Sequence, residues 1–183
     1  MSLLLVGAFI SAPYMAYLAL ASYIYIDGFG VSETTFSMYF AINSAAAILG
    51  PIMYMRFGAG SVKKVINVGI VVAIISAVLI LTVGNISPII FLLSYVIYSI
   101  VTSYFRPLIS DLLLSATKTD VGAASSVMNF VFTVLGSVGM IVGSLAWSSY
   151  ISGLAITMLI FIAITILVWF YILKAKSIKF DWK

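Results

Sequence analysis

Six long apolar runs set the pattern of this chain, and short polar breaks separate them. A membrane-spanning helix needs about 20 mostly apolar residues. The stretches that qualify are Leu3–Ile26, Thr34–Met55, Val65–Val83, Pro88–Phe105, Val121–Ala146 and Tyr150–Leu173. The breaks fall at "DGFGVSE", "RFGAGSVKK", "GNIS", the stretch beginning "RPLISD", and "WSSYISG". The runs are too long for barrel strands and lack their strict alternation. The pattern therefore predicts an all-α integral membrane protein with six transmembrane helices. The first run lacks a basic leader and exceeds the ~7–15 apolar residues of a signal peptide, so it reads as a span. A Met start with no cytoplasmic leader also fits a chain cut from a longer one.

Composition agrees with lipid as the surrounding solvent. Charged residues make up 8% of the chain and hydrophobic ones 64%, whereas a soluble domain carries about 25% charged residues. The placement of the charges predicts orientation. Arg56, Lys63 and Lys64 lie in the second break, Arg106 and Lys118 in the fourth, and Lys174, Lys176, Lys179 and Lys183 follow the last span. The opposite breaks hold only Asp27 and Glu33. By the positive-inside rule both termini are cytoplasmic in a multi-pass chain. The net charge of +4 is then a topology signal, not a nucleic-acid-binding one. Counting predicts two three-helix units of opposite orientation, residues 3–84 and 88–173, with a basic cytoplasmic tail at 174–183. Such a 3+3 inverted repeat is the plan of one half of a twelve-helix transporter.

Several function classes drop out. The sequence has no Cys and no His, so thiolate or imidazole catalysis, a Cys/His zinc site and His-ligated haem are excluded. No nucleophile–base set or metal-ligand group occurs in one leaflet, so no catalytic residue, metal or cofactor is expected, and an enzyme is not. Channels show re-entrant filters, charged rings or paired Asn-Pro-Ala elements, and none is present.

Polar and small residues within the spans point to the bundle interior. In the fifth span Gly122, Ser126, Asn129, Thr133, Gly136, Met140 and Gly143 share one face, and Gly139 with Gly143 forms a GxxxG pair for close helix approach. Asn129 either bonds a neighbouring helix or lines a cavity, and the same two readings stand for Asn43 of the second span. The fourth span aligns Tyr95, Ser99 and Thr102, with Tyr98 beside them. The first adds Ser11, Tyr14 and Tyr17 around Pro13, which bends a spanning helix by freeing a carbonyl. Tyrosine offers an apolar face and one hydroxyl, suited to loose recognition of amphipathic molecules. Tyr23, Tyr25, Trp147 and Tyr150 read as an interfacial belt. No acidic or basic residue lies in the middle of any span, so if the chain serves a proton-coupled transporter, the coupling carboxylate must come from elsewhere.

The stretch "SYFRPLISDLLLSATKTDVGAASS" gathers Arg106, Asp111, Lys118 and Asp120. It reads as the cytoplasmic end of the fourth span and a loop. Pro107 bends or breaks the helix as it leaves the membrane, Arg106 snorkels to headgroups, and Asp120 caps the fifth helix. Either the loop is plainly solvated or Arg106 and Asp111 serve as a cytoplasmic gate.

The segment "FISAPYMAYLALASYIYIDGFGVSETTFSMYFAINSAAAILGP" resembles the seventh and eighth helices of drug:proton antiporters of the bicyclomycin/chloramphenicol-resistance type, in the major facilitator superfamily. "RPLISDLLLSATKTDVGAASSVMNFVFTVLG" is similar to their tenth-to-eleventh helix connection. "GPIMYMRFGAGSVKK" occupies the place of the superfamily's "GxxxDRxGRR" signature; Arg56 and Gly58 match its R-x-G core, and Met55 stands where the acidic residue belongs. The resemblance covers essentially the whole chain as a C-terminal six-helix half. It implies export of drugs or small metabolites by alternating access and proton antiport, in a prokaryotic inner membrane. An N-terminal half carrying the coupling carboxylate, or a second copy, would be the partner. On this mapping Ser11, Tyr14, Tyr17, Asn43, Tyr95, Tyr98 and Asn129 contact a small amphipathic substrate, and Arg56, Arg106 and Asp111 form the cytoplasmic gate. The alternative is a half-size or truncated membrane module, an assembly partner or remnant, that does not transport alone.

Overall fold

The computed structural model describes residues 2–58, 60–116 and 120–174. Helix α1, Ser2–Ser22, continues into a π-helical segment, Tyr23–Gly28; then follow α2, Glu33–Phe57, α3, Val62–Val83, α4, Pro88–Ala116, α5, Val121–Gly143, and α6, Tyr150–Lys174. The six apolar runs thus become six helices, each long and apolar enough to cross a membrane. In lipid the helix is the one open structure that satisfies every backbone polar group within its own segment, and that is why apolar length alone placed them.

Side-chain contacts fix the helix directions. Along α1 and α4, Gly7 meets Ile109 and Tyr17 stacks on Tyr95, so the two run antiparallel. Asn43 bonds Ser99 and Gly50 lies against Ser103, so α2 runs with α4. Ser76 bonds the Ser94 carbonyl and Gly69 lies against Phe105, which sets α3 against α4. Ala12 and Ala16 face Gly139 and Gly143, so α5 runs with α1. Phe9 packs near Phe161 and Tyr23 near Tyr150, so α6 opposes α1. Odd and even helices therefore alternate in direction. All described basic residues, Arg56, Lys63, Lys64, Arg106 and Lys174, fall toward one end, whereas Asp27 and Glu33 sit at the other. Lys118 and tail residues 175–183 lie outside the described residues.

α1 and α4 are the central pair. α1 packs mainly on α5 and α6, α4 on α2 and α3, α1 on α4, and α3 on α6. Glycine makes the closest of these seams possible. A Cβ on Gly139 would run into the carbonyl of Ala12, and one on Gly143 would stand 2.8 Å from the Ala16 Cβ. Polar clamps tie the remaining helices, with Trp169 Nε1 donating to Asn67 Oδ1 at 2.8 Å and Ser76 Oγ to the Ser94 carbonyl at 2.6 Å. Such interhelical bonds contribute about 0.6 kcal/mol each on average in a membrane.

Three expectations are corrected. α4 does not break at Pro107 but continues to Ala116. Proline removes one backbone donor, to the Ser103 carbonyl, yet the segment beyond it is held from outside. Leu108 and Ile109 are buried, Ile109 fills the space over Gly7, and Asp111 accepts a 2.6 Å bond from the Tyr54 hydroxyl. Tyr25 is not an interfacial residue; it is fully buried among Tyr39, Phe36 and Phe91. α5 stops at Gly143 rather than Ala146, where the Ser144 N–H closes onto the Met140 carbonyl. At its other end the helix starts as expected, Asp120 accepting from the Ala123 N–H at 2.9 Å.

Candidate functional site

A polar pocket of about 230 Å³ opens between α1, α4 and α5. α1 contributes Ser11, Tyr14 and Met15, three positions that share a face because residues three and four apart are neighbours on a helix. α4 contributes Thr102, Ser103 and Arg106 at the same spacing, and α5 contributes Phe132 and Thr133. The volume falls below the ~300–1,000 Å³ of pockets that enclose a drug-sized ligand. It suits one wall of a larger cavity, or a site for one polar group.

The electrostatic centre is Arg106. Its guanidinium carbon lies 5.5 Å from the centroid of the Phe132 ring, a cation–π contact that bridges α4 and α5. The Tyr14 hydroxyl lies within electrostatic reach of the same cation. Among the described residues no carboxylate pairs with Arg106. Ser103, one turn before it, has a carbonyl that lost its helical donor to Pro107. The Ser11 hydroxyl is buried beside the pocket with no hydrogen-bond partner among the described residues. Thr102 is already engaged, donating to the Ser99 carbonyl at 3.1 Å.

One turn further along α1 and α4 the space is closed by rings. Tyr17 and Tyr95 stack with centroids 3.9 Å apart, and Phe91, Phe40 and Tyr98 extend the cluster. All of Tyr17, Tyr95 and Tyr98 are buried. Tyr98 donates to the Ile10 carbonyl at 2.6 Å. The Tyr95 hydroxyl has no partner, and those of Tyr17 and Tyr25 neighbour each other without hydrogen-bond geometry. This aromatic plug fills the space between α1, α2 and α4 on the Asp27 side of the pocket residues.

The residues singled out from the sequence therefore divide. Ser11, Tyr14 and Arg106 come together in the pocket. Tyr17, Tyr95 and Tyr98 form the plug behind it. Asn43 is buried and accepts from the Ser99 hydroxyl at 2.8 Å, which makes it an interhelical clamp with its amide nitrogen unpartnered. Asn129 is exposed on α5, as are Gly122, Ser126 and Thr133. The fifth-span stripe thus splits into a packed glycine half and an uncovered polar half. Arg56 is exposed, and Asp111 bonds Tyr54 rather than either arginine. Met15, Ser103 and Phe132 carry no signal of their own in the sequence; each sits one helical step from a residue that does. No family model, curated protein or solved structure matches the chain.

Proposed function

We propose that this chain is one half of a solute transporter working by alternating access, like the C-terminal half of a major facilitator drug:proton antiporter, with the α1/α4/α5 pocket as its share of the substrate cavity. The observation that carries the reading is a polar pocket walled by three membrane-length helices, with a buried unpartnered hydroxyl on its rim. Soluble-enzyme chemistry has no candidates there, whereas a translocated solute needs such a surface inside a membrane protein. The packing scheme supports it, because exchanging the first three helices with the last three leaves every main helix pair in place. Such invariance is what a 3+3 inverted repeat produces. The buried orphan groups Ser11, Asn43 and Tyr95 fit a bundle with a second packing, since each costs about 1–3 kcal/mol while unpaired.

In this reading the substrate is a small amphipathic molecule and the basic end of the bundle is cytoplasmic. In the same reading solute reaches the pocket from the Arg106 side, away from the aromatic plug. The described acidic residues Asp27, Glu33, Asp111 and Asp120 all lie toward helix ends. The carboxylate for proton antiport then belongs to an N-terminal half. The uncovered small and polar face of α5, with Ser37, Ala41, Ser44 and Ala45 exposed on α2, gives that half a surface to meet. The same face equally favours the second reading, a module that assembles with another membrane chain and does not transport alone.

Counterflow in proteoliposomes separates the two. The full chain is reconstituted with radiolabelled anionic, neutral and cationic amphiphiles, and oligomeric state is read by cross-linking. Saturable counterflow that Thr133→Trp abolishes by filling the pocket supports transport by paired copies. No flux for any compound, even where cross-linking shows paired copies, favours the module.

A further inference from the structure

We infer that the α1/α4/α5 pocket is an anion site: it takes the carboxylate of a small organic acid on Arg106 and lays the acid's apolar body along Phe132 and Met15. The inference deepens the transport reading by naming the substrate class, and it stands on binding alone.

Arg106 presents five N–H donors and no acceptor, is always charged in proteins, and has no carboxylate partner among the described residues. Arg106 is exposed on the pocket wall, toward the basic end of α4. Its guanidinium lies over the Phe132 ring, a contact that attracts the cation without using its N–H donors. The fork of a guanidinium matches a carboxylate bidentately.

Neighbouring groups add donors, not competing charge. The Tyr14 and Ser103 hydroxyls form no hydrogen bond with a described residue, and the Ser11 hydroxyl is buried and unpartnered. Those of Tyr14 and Ser103 can each donate to an oxyanion. Asp111, the nearest acidic residue along α4, is turned to Tyr54 of α2 instead. A volume of 230 Å³ is more than a lone carboxylate side chain would fill. That room, with Phe132 and Met15 on its walls, favours a free organic acid over an acidic residue from a partner chain. An amine would meet like charge, and a neutral amide would gain only ordinary hydrogen bonds.

The test uses three probes of one shape: 2-naphthoate, 2-naphthamide and 2-naphthylmethylamine. Binding of each to the full chain in zwitterionic nanodiscs is measured by microscale thermophoresis. The expected result is at least about tenfold tighter binding of the acid than of either other probe, the scale of one charge-assisted bond. Arg106→Gln should erase the preference, with helicity and thermal midpoint unchanged, and Arg106→Lys should keep part of it. Equal binding of the three, a preference for the amine, or a preference that survives Arg106→Gln overturns the anion site. So does failure of all three to bind at millimolar concentration, which would hand Arg106 to a carboxylate side chain of another chain. Acid binding without counterflow by paired copies leaves the anion site standing and counts against transport by this chain alone. Counterflow indifferent to charge does the reverse.

Discussion

The guanidinium of Arg106 lies over the ring of Phe132, its carbon 5.5 Å from the centroid. This pair joins α4 to α5, and both residues line the pocket. Replacing Phe132 with Leu keeps most of the apolar bulk but removes the quadrupole. A cation–π contact at such a site contributes about 0.5–1 kcal/mol. Solute affinity should therefore fall about two- to fivefold, measured by thermophoresis in nanodiscs, with little change in thermal midpoint.

The seam between α1 and α5 makes a sharper stability prediction. Gly139→Ala places a methyl against the backbone carbonyl of Ala12, which cannot move without the helix. Overpacking of this kind costs about 1–3 kcal/mol, and the thermal midpoint in detergent should drop by several degrees. Gly122→Ala, where the nearest atom is Asp120 Oδ1 at 3.5 Å, should leave it unchanged or slightly raised.

Asn43 and Ser99 should behave as a modest clamp. A double-mutant cycle of Asn43→Ala and Ser99→Ala should give a coupling of about 0.6 kcal/mol, and no more than ~1.7. Steric-trap or detergent unfolding of the four proteins measures it. A coupling near zero, with solute binding lost in both single variants, would move Asn43 from packing to recognition.

Tyr54 and Asp111 lie at an exposed position, so their bond should matter less. Tyr54→Phe should cost about 0.5–1.5 kcal/mol, the net value of one hydrogen bond. Its effect should be seen as faster hydrogen exchange in residues 110–116, where this contact helps hold α4 beyond Pro107.

Much of this architecture was legible in the sequence because lipid leaves so few choices. Apolar length gave six helices, the basic residues gave a common end, and Asp120 before "VGAASS" gave a helix cap. Two kinds of feature were hidden. Helices that are hydrophobic all round carry no stripe to say which face meets a neighbour. So the burial of Tyr17, Tyr25, Tyr95 and Tyr98 in one aromatic plug could not be read from spacing, and Tyr25 was misplaced at the surface. Proline was the other. Local rules end a helix near Pro107, but contacts from Gly7 and Tyr54, far away in sequence, keep α4 intact. That continuation turns Arg106 from a loop residue into a wall of the pocket. The site was half legible: Ser11, Tyr14 and Arg106 were named, but Phe132, which orients the arginine, was one apolar residue among many.

The central claim is that the α1/α4/α5 pocket, which Thr133 lines, is a water-filled solute site, and cysteine accessibility tests it most directly. The chain has no native cysteine, so single substitutions report cleanly. Thr133→Cys and Ser126→Cys are compared with Val134→Cys and Ile141→Cys, all four positions being exposed on the same helix. Only a thiol in contact with water ionises and reacts with a charged, membrane-impermeant methanethiosulfonate. In zwitterionic liposomes, Thr133→Cys and Ser126→Cys should react at least about tenfold faster than the other two, and 2-naphthoate should slow Thr133→Cys. Equally slow reaction at all four positions, indifferent to 2-naphthoate, would mean that lipid or a packed helix covers this face and would contradict the solute site.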